Sequence, residues 1–352
     1  MTKIALINDI HLGVKNDSII FLEAHKKFFK EVFFPTLEKE NITTVIILGD
    51  LFDRRKYFNY QTLYEVKKHI FDILAQNKIT VYLLLGNHDV YFKNTSRINS
   101  SQLNLNEYPN IKVFSDPSEV IINDETIGLI PWINMNNEEA FYDFMNNNNC
   151  KLLFGHLEIK GFEMHRNGGQ CLDGLDPKMF NKYEHVFSGH FHQPSQRWAI
   201  QYLGAPMQFT WADYDCKRGF NIWDFSTREL TFIENPDKMF HKIFYDNNID
   251  LDTFDFSIYK DRIVKVLVIE KSDQHKLDLF IDMLQQVNPF QLDIIDNTMN
   301  QFMEDFDESL IKNEDTMALV SSYIDGLKLD FNSNEIKGLF KELYIEALAE
   351  LD

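Results

Sequence analysis

The stretch VIILGDLFD, residues 45–53, passes from a β-branched apolar run through one glycine into two aspartates. A short continuous run of that kind reads as a strand buried on both faces. Gly49 lets the backbone turn sharply and approach its neighbours closely. Asp50, with Asp53 three residues on, is of metal-ligand type. Alone, such a glycine–aspartate pair is an ordinary turn. Four more runs end in ligand-type residues, three of them again through glycine: IALIN (4–8) leads to Asp9 and then His11, and YLLLG (82–86) to Asn87, His88 and Asp89; LLFG (152–155) leads to His156, and VFSG (186–189) to His190 and His192. Sites in open α/β sheets form beyond the carboxyl ends of the strands. Five endings of one type therefore predict convergence at one end of a sheet. In an extended chain, His190 and His192 share a face and Phe191 takes the other.

Around these runs the composition is that of a packed protein. The 352 residues are 44% apolar and include 31 phenylalanines, enough for a large core. The three cysteines form no CxxC pair, which fits a reducing compartment and excludes a structural zinc knuckle. No stretch offers about 18 uninterrupted apolar residues, and the N-terminus does not read as a signal peptide. A cytoplasmic protein with no membrane association is expected. The net charge is −19, but residues 241–352 hold 10 Lys and Arg against 24 Asp and Glu, leaving −5 for the first 240. Acidity concentrated at one end says little about one cleft, and a metal site brings positive charge of its own. Charge neither supports nor excludes nucleic acid.

Apolar runs alternate with helical patterns (roughly 18–40 and 60–76) up to about residue 235, the signature of a layered α/β domain. Alternating strands follow at 197–204 and 219–225. Residues 262–270, 275–287 and 290–296 read as strand, helix and strand, a small βαβ unit. An acidic stretch around 304–315 reads as a linker or a solvated helix face. The tail at 334–351 is an amphipathic helix with Ile336, Leu339, Phe340, Leu343, Ala347 and Leu348 on one face. It packs on its own domain or binds a partner.

Seven candidate ligands (Asp9, His11, Asp50, Asn87, His156, His190 and His192) are too many for one ion. A carboxylate bridging two ions would use Asp50 efficiently. Imidazole, carboxylate and amide oxygen together favour Mn²⁺, Fe or Zn²⁺ over magnesium. Such a pair activates water and clamps two phosphate oxygens, as in-line hydrolysis requires. His88 is free to act as an acid or hydrogen-bond donor, with Asp89 available to orient it.

DIHLG, GDLFD, GNHD, GH and GHFH, in this order, resemble the five signatures of the calcineurin-like metallophosphoesterases. DIHLG and YLGAPMQF…KRGF (202–220) are similar to the SbcD-type DNA-repair nucleases. GDLFDRRK (49–56) and GHLEIKGF (155–162) bring the chain nearest to the recombination endonuclease subunits of tailed bacteriophages. The match covers residues 1–235 and is one of architecture beyond. It implies an α/β fold: a layered α/β/β/α metallophosphoesterase sandwich (1–240), a small α+β capping domain (245–300), and an acidic linker with a C-terminal helical tail (301–352). Asp9, His11, Asp50 and His192 would hold one divalent ion, most simply Mn²⁺. Asp50, Asn87, His156 and His190 would hold the second, and His88 would stabilise the transition state or protonate the leaving oxygen. Relatives often carry histidine where this chain has Asp53, which suggests a supporting role for that residue. The resemblance further implies a metal-dependent DNA exo- and endonuclease of a break-processing and recombination complex. It would form a homodimer and dock its C-terminal region on an SMC-type, SbcC-like ATPase.

Arg54, Arg55 and Lys56, and more weakly Lys93 and Arg97, are candidate DNA-backbone contacts; the alternative is a solvated loop. His165 reads as a loop residue near the cleft, and Trp132 and Trp211 as core or cleft wall. Two other functions compete: a phosphodiesterase or phosphoprotein phosphatase of the same fold, and a scaffold whose metals are structural. The His88–Asp89 pair argues against the scaffold, and the capping unit and tail argue against the small-substrate enzyme.

Overall fold

A computed structural model describes residues 2–163 and 169–296. Along the chain the strands are β1 (Lys3–Ile7), β2 (Thr44–Leu48), β3 (Thr80–Leu84), β4 (Val90–Phe92), β5 (Thr95–Asn99), β6 (Ile111–Phe114), β7 (Ser118–Ile122) and β8 (Glu125–Ile130). There follow β9 (Leu152–His156), β10 (His185–Gly189), β11 (Ser195–Arg197), β12 (Ile200–Tyr202), β13 (Gly219–Asp224) and β14 (Glu229–Glu234), then β15 (Phe240–Tyr245), β16 (Ile263–Val268) and β17 (Gln291–Asp296).

Two six-stranded sheets form the body, in the orders β14-β13-β1-β2-β3-β6 and β11-β12-β10-β9-β8-β7. Strands β1, β2, β3 and β6 run parallel, as do β8, β9, β10 and β12. The period-2 alternation of a strand sorts their side chains into two cores. Ile4, Leu6, Ile46, Leu48 and Leu84 pack between the sheets against Ile127, Leu129, Leu152, Phe154 and Phe187. Ala5, Ile7, Val45, Ile47, Val81 and Leu83 face the other way, onto Phe28, Phe29, Phe33, Val66, Ile70 and Phe71 of the helices. A third core lies on the far face of the second sheet, where Phe141 and Met145 of the helix Glu138–Asn147 meet Leu153 and Val186. The layering is thus α/β/β/α. Both faces of the inner strands are covered, which is why they read as unbroken apolar runs.

Only β1, β2 and β3 of the five site-bearing runs share a sheet; β9 and β10 belong to the other. The expectation of a single sheet edge is corrected: the carboxyl ends of two facing sheets meet. Glycine makes the approach possible. A Cβ on Gly49 (φ 89°) would lie 2.3 Å from His156 Nδ1, and one on Gly86 would lie 2.2 Å from the Asp50 amide nitrogen.

A third, all-parallel sheet, β15-β16-β17, carries the helix Gln274–Gln286 between its last two strands. Asp273 caps that helix, accepting from the Lys276 N–H. The sheet begins at Phe240, ahead of the expected boundary at 245, and Met239, Phe240 and Ile263 are buried with Phe21, Met207 and Phe209. The described residues form one compact unit. The linker and helical tail expected at 301–352, the tail's partner docking, and His165 lie outside the described residues. Among the described residues, no helix is long and apolar enough to cross a membrane.

Candidate metal centre

Asp9, His11, Asp50 and His190 all have left-handed backbone, with φ of 49°, 50°, 50° and 91°. Non-glycine residues adopt it at a cost of about 1–3 kcal/mol each, and such strain clusters at functional sites. Hydrogen bonds over-determine these turns. The Asp9 amide donates to the Gly49 carbonyl and the His11 amide to the Asp50 carbonyl. The His190 amide donates to both Asp9 oxygens at 3.0–3.1 Å, and the His88 amide to Asp50 Oδ1 at 2.8 Å.

All seven sequence-predicted ligands come together. His11 Nε2 is 3.0 Å from His192 Nε2 and 3.8 Å from Asp50 Oδ2. On the other side of Asp50, His156 Nε2 is 3.4 Å from Oδ2, and Asn87 Oδ1 is 3.0 Å from both His156 Nε2 and His190 Nδ1. Three clusters among the described residues have the compactness of a metal site: Asp9–His11–His192, Asp50–His156–His190, and His11–Asp53–His88, which shares His11 with the first.

The donor set fits cations. His156 Nδ1–H donates to the Leu48 carbonyl at 2.8 Å, which leaves Nε2 facing Asn87 Oδ1 and Asp50 Oδ2 at 3.0 and 3.4 Å, where a cation can replace a ring proton. Convergence of lone pairs on a small space is what a cation resolves, and a carbonyl behind the ring fixes the tautomer. Charge is divided unevenly among the four histidines. Burial, reinforced by His156, pushes the His190 imidazole down to about 3, and burial with His11 pushes His192 down as well. Low values of this kind suit ligands, which bind as neutral rings, whereas at His11 burial is outweighed by the carboxylates around it, which raise it. Burial opposes charge on His156 and Asp50, yet their attraction prevails, lifting His156 to about 9 and holding Asp50 well below the usual carboxylate range.

Three sequence expectations change. His190 and His192 do not alternate along a strand, because β10 ends at Gly189 and His190 turns the chain. The turn delivers both rings, and Phe191 packs 4.6 Å from Tyr202 in the core behind. Asp89 does not orient His88. Its buried carboxylate accepts the backbone N–H groups of Gly86, Phe52 and Leu51 at 2.8, 3.1 and 3.3 Å, and burial, then Asp50, raises it to about 7. His88 Nδ1 instead donates to the Asp53 carbonyl at 2.6 Å, while the Asp53 carboxylate is 3.2 Å from His11 Nδ1. Two of the basic candidates are engaged inward: Arg55 Nε donates to the Asn87 carbonyl at 2.7 Å, and Arg54 bonds Asn16 and pairs with Asp17. Lys56, Lys93 and Arg97 are exposed and make no ion pair among the described residues, the last two on the β4–β5 hairpin that leaves the site just after Asp89.

Sequence reasoning missed Asn8, whose amide donates to Asp9 at 2.6 Å and to the Gly204 carbonyl at 3.0 Å. Trp132 forms a half-buried wall, 5.1 Å from His190 and 6.1 Å from His156 between ring centres. Its sequence signal was weak, because nothing near it repeats the strand–glycine pattern.

Residues 2–194 match the calcineurin-like phosphoesterase family, a span that holds all seven clustered residues. The chain is 30% identical to exonuclease subunit 1 of Enterobacteria phage T4 over 351 residues, covering 98% of this chain and 99% of that one. It is 24% identical to the SbcD component of the SbcCD nuclease of Staphylococcus epidermidis over 253 residues, 65% of this chain and 67% of the relative. The same component from Staphylococcus saprophyticus is 20% identical over 259 residues, with the same coverage. The chain belongs to the calcineurin-like phosphoesterase family.

Proposed function

We propose that this calcineurin-like phosphoesterase is the nuclease subunit of a DNA break-processing and recombination complex, cutting DNA phosphodiesters as an exo- and endonuclease. The observation that carries the reading is the clustered site in a chain similar over nearly its whole length to a phage exonuclease subunit. Asp9, His11, Asp50 and His192 would hold one divalent ion, and Asp50, Asn87, His156 and His190 the other. Mixed nitrogen and oxygen ligands favour Mn²⁺, Fe or Zn²⁺ over magnesium, and Mn²⁺ is the ion proposed for both. When bound, the ions polarise the phosphate oxygens and lower the pKa of a water.

The chain's own residues supply orientation and a proton. Asp50 keeps its carboxylate ionised between the two halves, and the His88 amide fixes its orientation. His88 spends Nδ1–H on the Asp53 carbonyl, so Nε2 is the atom free to meet a phosphate or leaving oxygen. There a protonated ring donates its hydrogen bond and then its proton. Lys56, Lys93 and Arg97 would meet the DNA backbone. The complex would include an SbcC-like ATPase bound through the C-terminal region and a second copy of this chain, in the cytoplasm. The small β15–β17 sheet with its helix would be the capping domain, from about 240 to 300.

The test is incubation of the full chain and Mn²⁺ with end-labelled duplex, single-stranded DNA and a small chromogenic phosphodiester, beside His88→Ala. Degradation of DNA that falls 10²-fold or more in His88→Ala is expected. Cleavage of the small ester alone, even with the ATPase subunit added, would instead identify a phosphodiesterase acting on another substrate.

A further inference from the structure

The stretch 202–220 lies beyond the family-matched span, yet its buried polar groups point back at the site. We propose that Gln208, Asp213 and Arg218 are positioning residues that hold His192 and His11 in ligand geometry and tie that geometry to the first strand of the small sheet. This rests on the reading that the two histidines hold one ion.

The links are continuous. The Arg218 Nη1 donates to the His192 carbonyl, which also accepts from the Ala205 N–H at 3.1 Å. The Nη2 donates to Asp213 Oδ1 at 2.5 Å, and both side chains are buried. The other Asp213 oxygen accepts the N–H groups of Phe209 and Thr210 at 2.8 and 2.9 Å. Phe209, so fixed, sets its ring 5.6 Å from His11 and 5.8 Å from His192. It also lies 6.1 Å from His25, whose Nε2 is 2.7 Å from the Ile10 carbonyl, between Asp9 and His11. Gln208 completes the chain. Its Nε2 donates to the Asp213 carbonyl at 3.0 Å, and its Oε1 accepts the N–H groups of Met239 and Phe240 at 3.0 and 3.1 Å, where β15 begins.

A buried arginine–aspartate pair is a poor way to add stability, since apolar residues of similar volume often do as well. What it supplies is direction: Arg218 Nη1 is aimed at the His192 carbonyl and Nη2 at Asp213, whose carboxylate fixes Phe209, while Arg218 Nε has no partner among the described residues. The hydrogen bonds of Gln208, Asp213 and Arg218 end elsewhere than on Asn87, His156 and His190, whose supports are Arg55, Leu48 and Asp9. The device is therefore one-sided. A change in how β15 is seated reaches His192 and His11 first, through Gln208 and Phe209, and the other cluster only at second hand, through Asp9, which accepts the His190 N–H, and the shared Asp50.

The experiment is Mn²⁺ binding to the metal-free full chain, read from the electron paramagnetic resonance of free Mn²⁺, with thermal unfolding of the same samples. Wild type, His192→Ala, Arg218→Gln, Arg218→Lys and Gln208→Leu are compared. Loss of supporting hydrogen bonds weakens metal binding by about 10- to 100-fold. Gln208→Leu and Arg218→Gln should weaken one of two sites to that extent and the other clearly less, with Arg218→Lys recovering part of the loss. Should Arg218→Gln fail to fold, Gln208→Leu carries the test. Equal weakening of both sites in step with lower unfolding temperature, or no weakening at all, overturns the positioning role. If His192→Ala itself binds two ions as wild type does, the ligand reading has failed and the proposal falls with it. If His192→Ala loses a site that Gln208→Leu and Arg218→Gln retain, only the positioning has failed.

Discussion

His11 and His192 stand 181 residues apart in the chain, and their Nε2 atoms approach to 3.0 Å. One ring leaves the end of β1 in the first sheet and the other the turn after β10 in the second. The contact therefore measures how closely the two sheets are seated at their carboxyl ends.

Ligand binding to the native chain alone raises stability by mass action, about 2.7 kcal/mol at a free concentration one hundred times Kd. Mn²⁺ should therefore raise the unfolding temperature of chelator-treated protein. In a double variant, His156→Ala with His192→Ala, which removes one imidazole from each proposed ligand set, the rise should vanish. Differential scanning calorimetry with and without the ion checks this. An undiminished rise in the double variant would place the ions elsewhere.

Asp89 holds three buried backbone donors and no part of the His88 ring. Each donor left without a partner costs about 1–3 kcal/mol, so Asp89→Ala should destabilise the chain by about 3 kcal/mol or more. Urea unfolding of the metal-free protein measures it. Native stability with activity lost would return Asp89 to a chemical role.

Gly49→Ala combines a left-handed backbone with a Cβ placed 2.3 Å from His156 Nδ1. The backbone alone costs about 1–2 kcal/mol, and His156 must shift, so stability and Mn²⁺ binding should fall together. Circular dichroism and metal titration on the same preparation follow both. A variant as stable as wild type that binds metal normally would show that the sheets are not packed as closely as described.

Arg55 and Lys56 are neighbours with different expected roles. Arg55→Ala removes the donor to the Asn87 carbonyl and should lower kcat, with little change in the salt dependence of DNA binding. Lys56→Ala, Lys93→Ala and Arg97→Ala should each reduce the slope of log K against log salt by about one per lost phosphate contact. Fluorescence anisotropy on labelled duplex between low and moderate salt separates them. A reduced slope in Arg55→Ala with kcat intact would reverse the assignment.

Much of the site was legible because strand endings are local. An apolar run, in four of five cases a glycine, and a ligand-type residue occupy consecutive positions, and the repetition at Asp9, Asp50, Asn87, His156 and His190 survives without any knowledge of neighbours. The supports were not legible for the opposite reason. Nothing in the sequence says that the Asp53 carbonyl, not Asp89, meets His88, or that Arg55 turns inward while Lys56 does not. Those outcomes depend on which backbone group lies within about 3 Å after folding.

The chain by itself determined the α/β character, the identity of the clustering residues and the glycines that allow them to approach. These follow from side-chain periodicity and backbone freedom, which act over a few residues. Tertiary structure alone decided that the endings come from two facing sheets, that a left-handed turn at His190 delivers its ring, and that Gln208, Asp213 and Arg218 link His192 to Met239 and Phe240. The reason is range: hydrogen bonds and packing join residues by proximity, and proximity across 181 positions is a property of the whole fold.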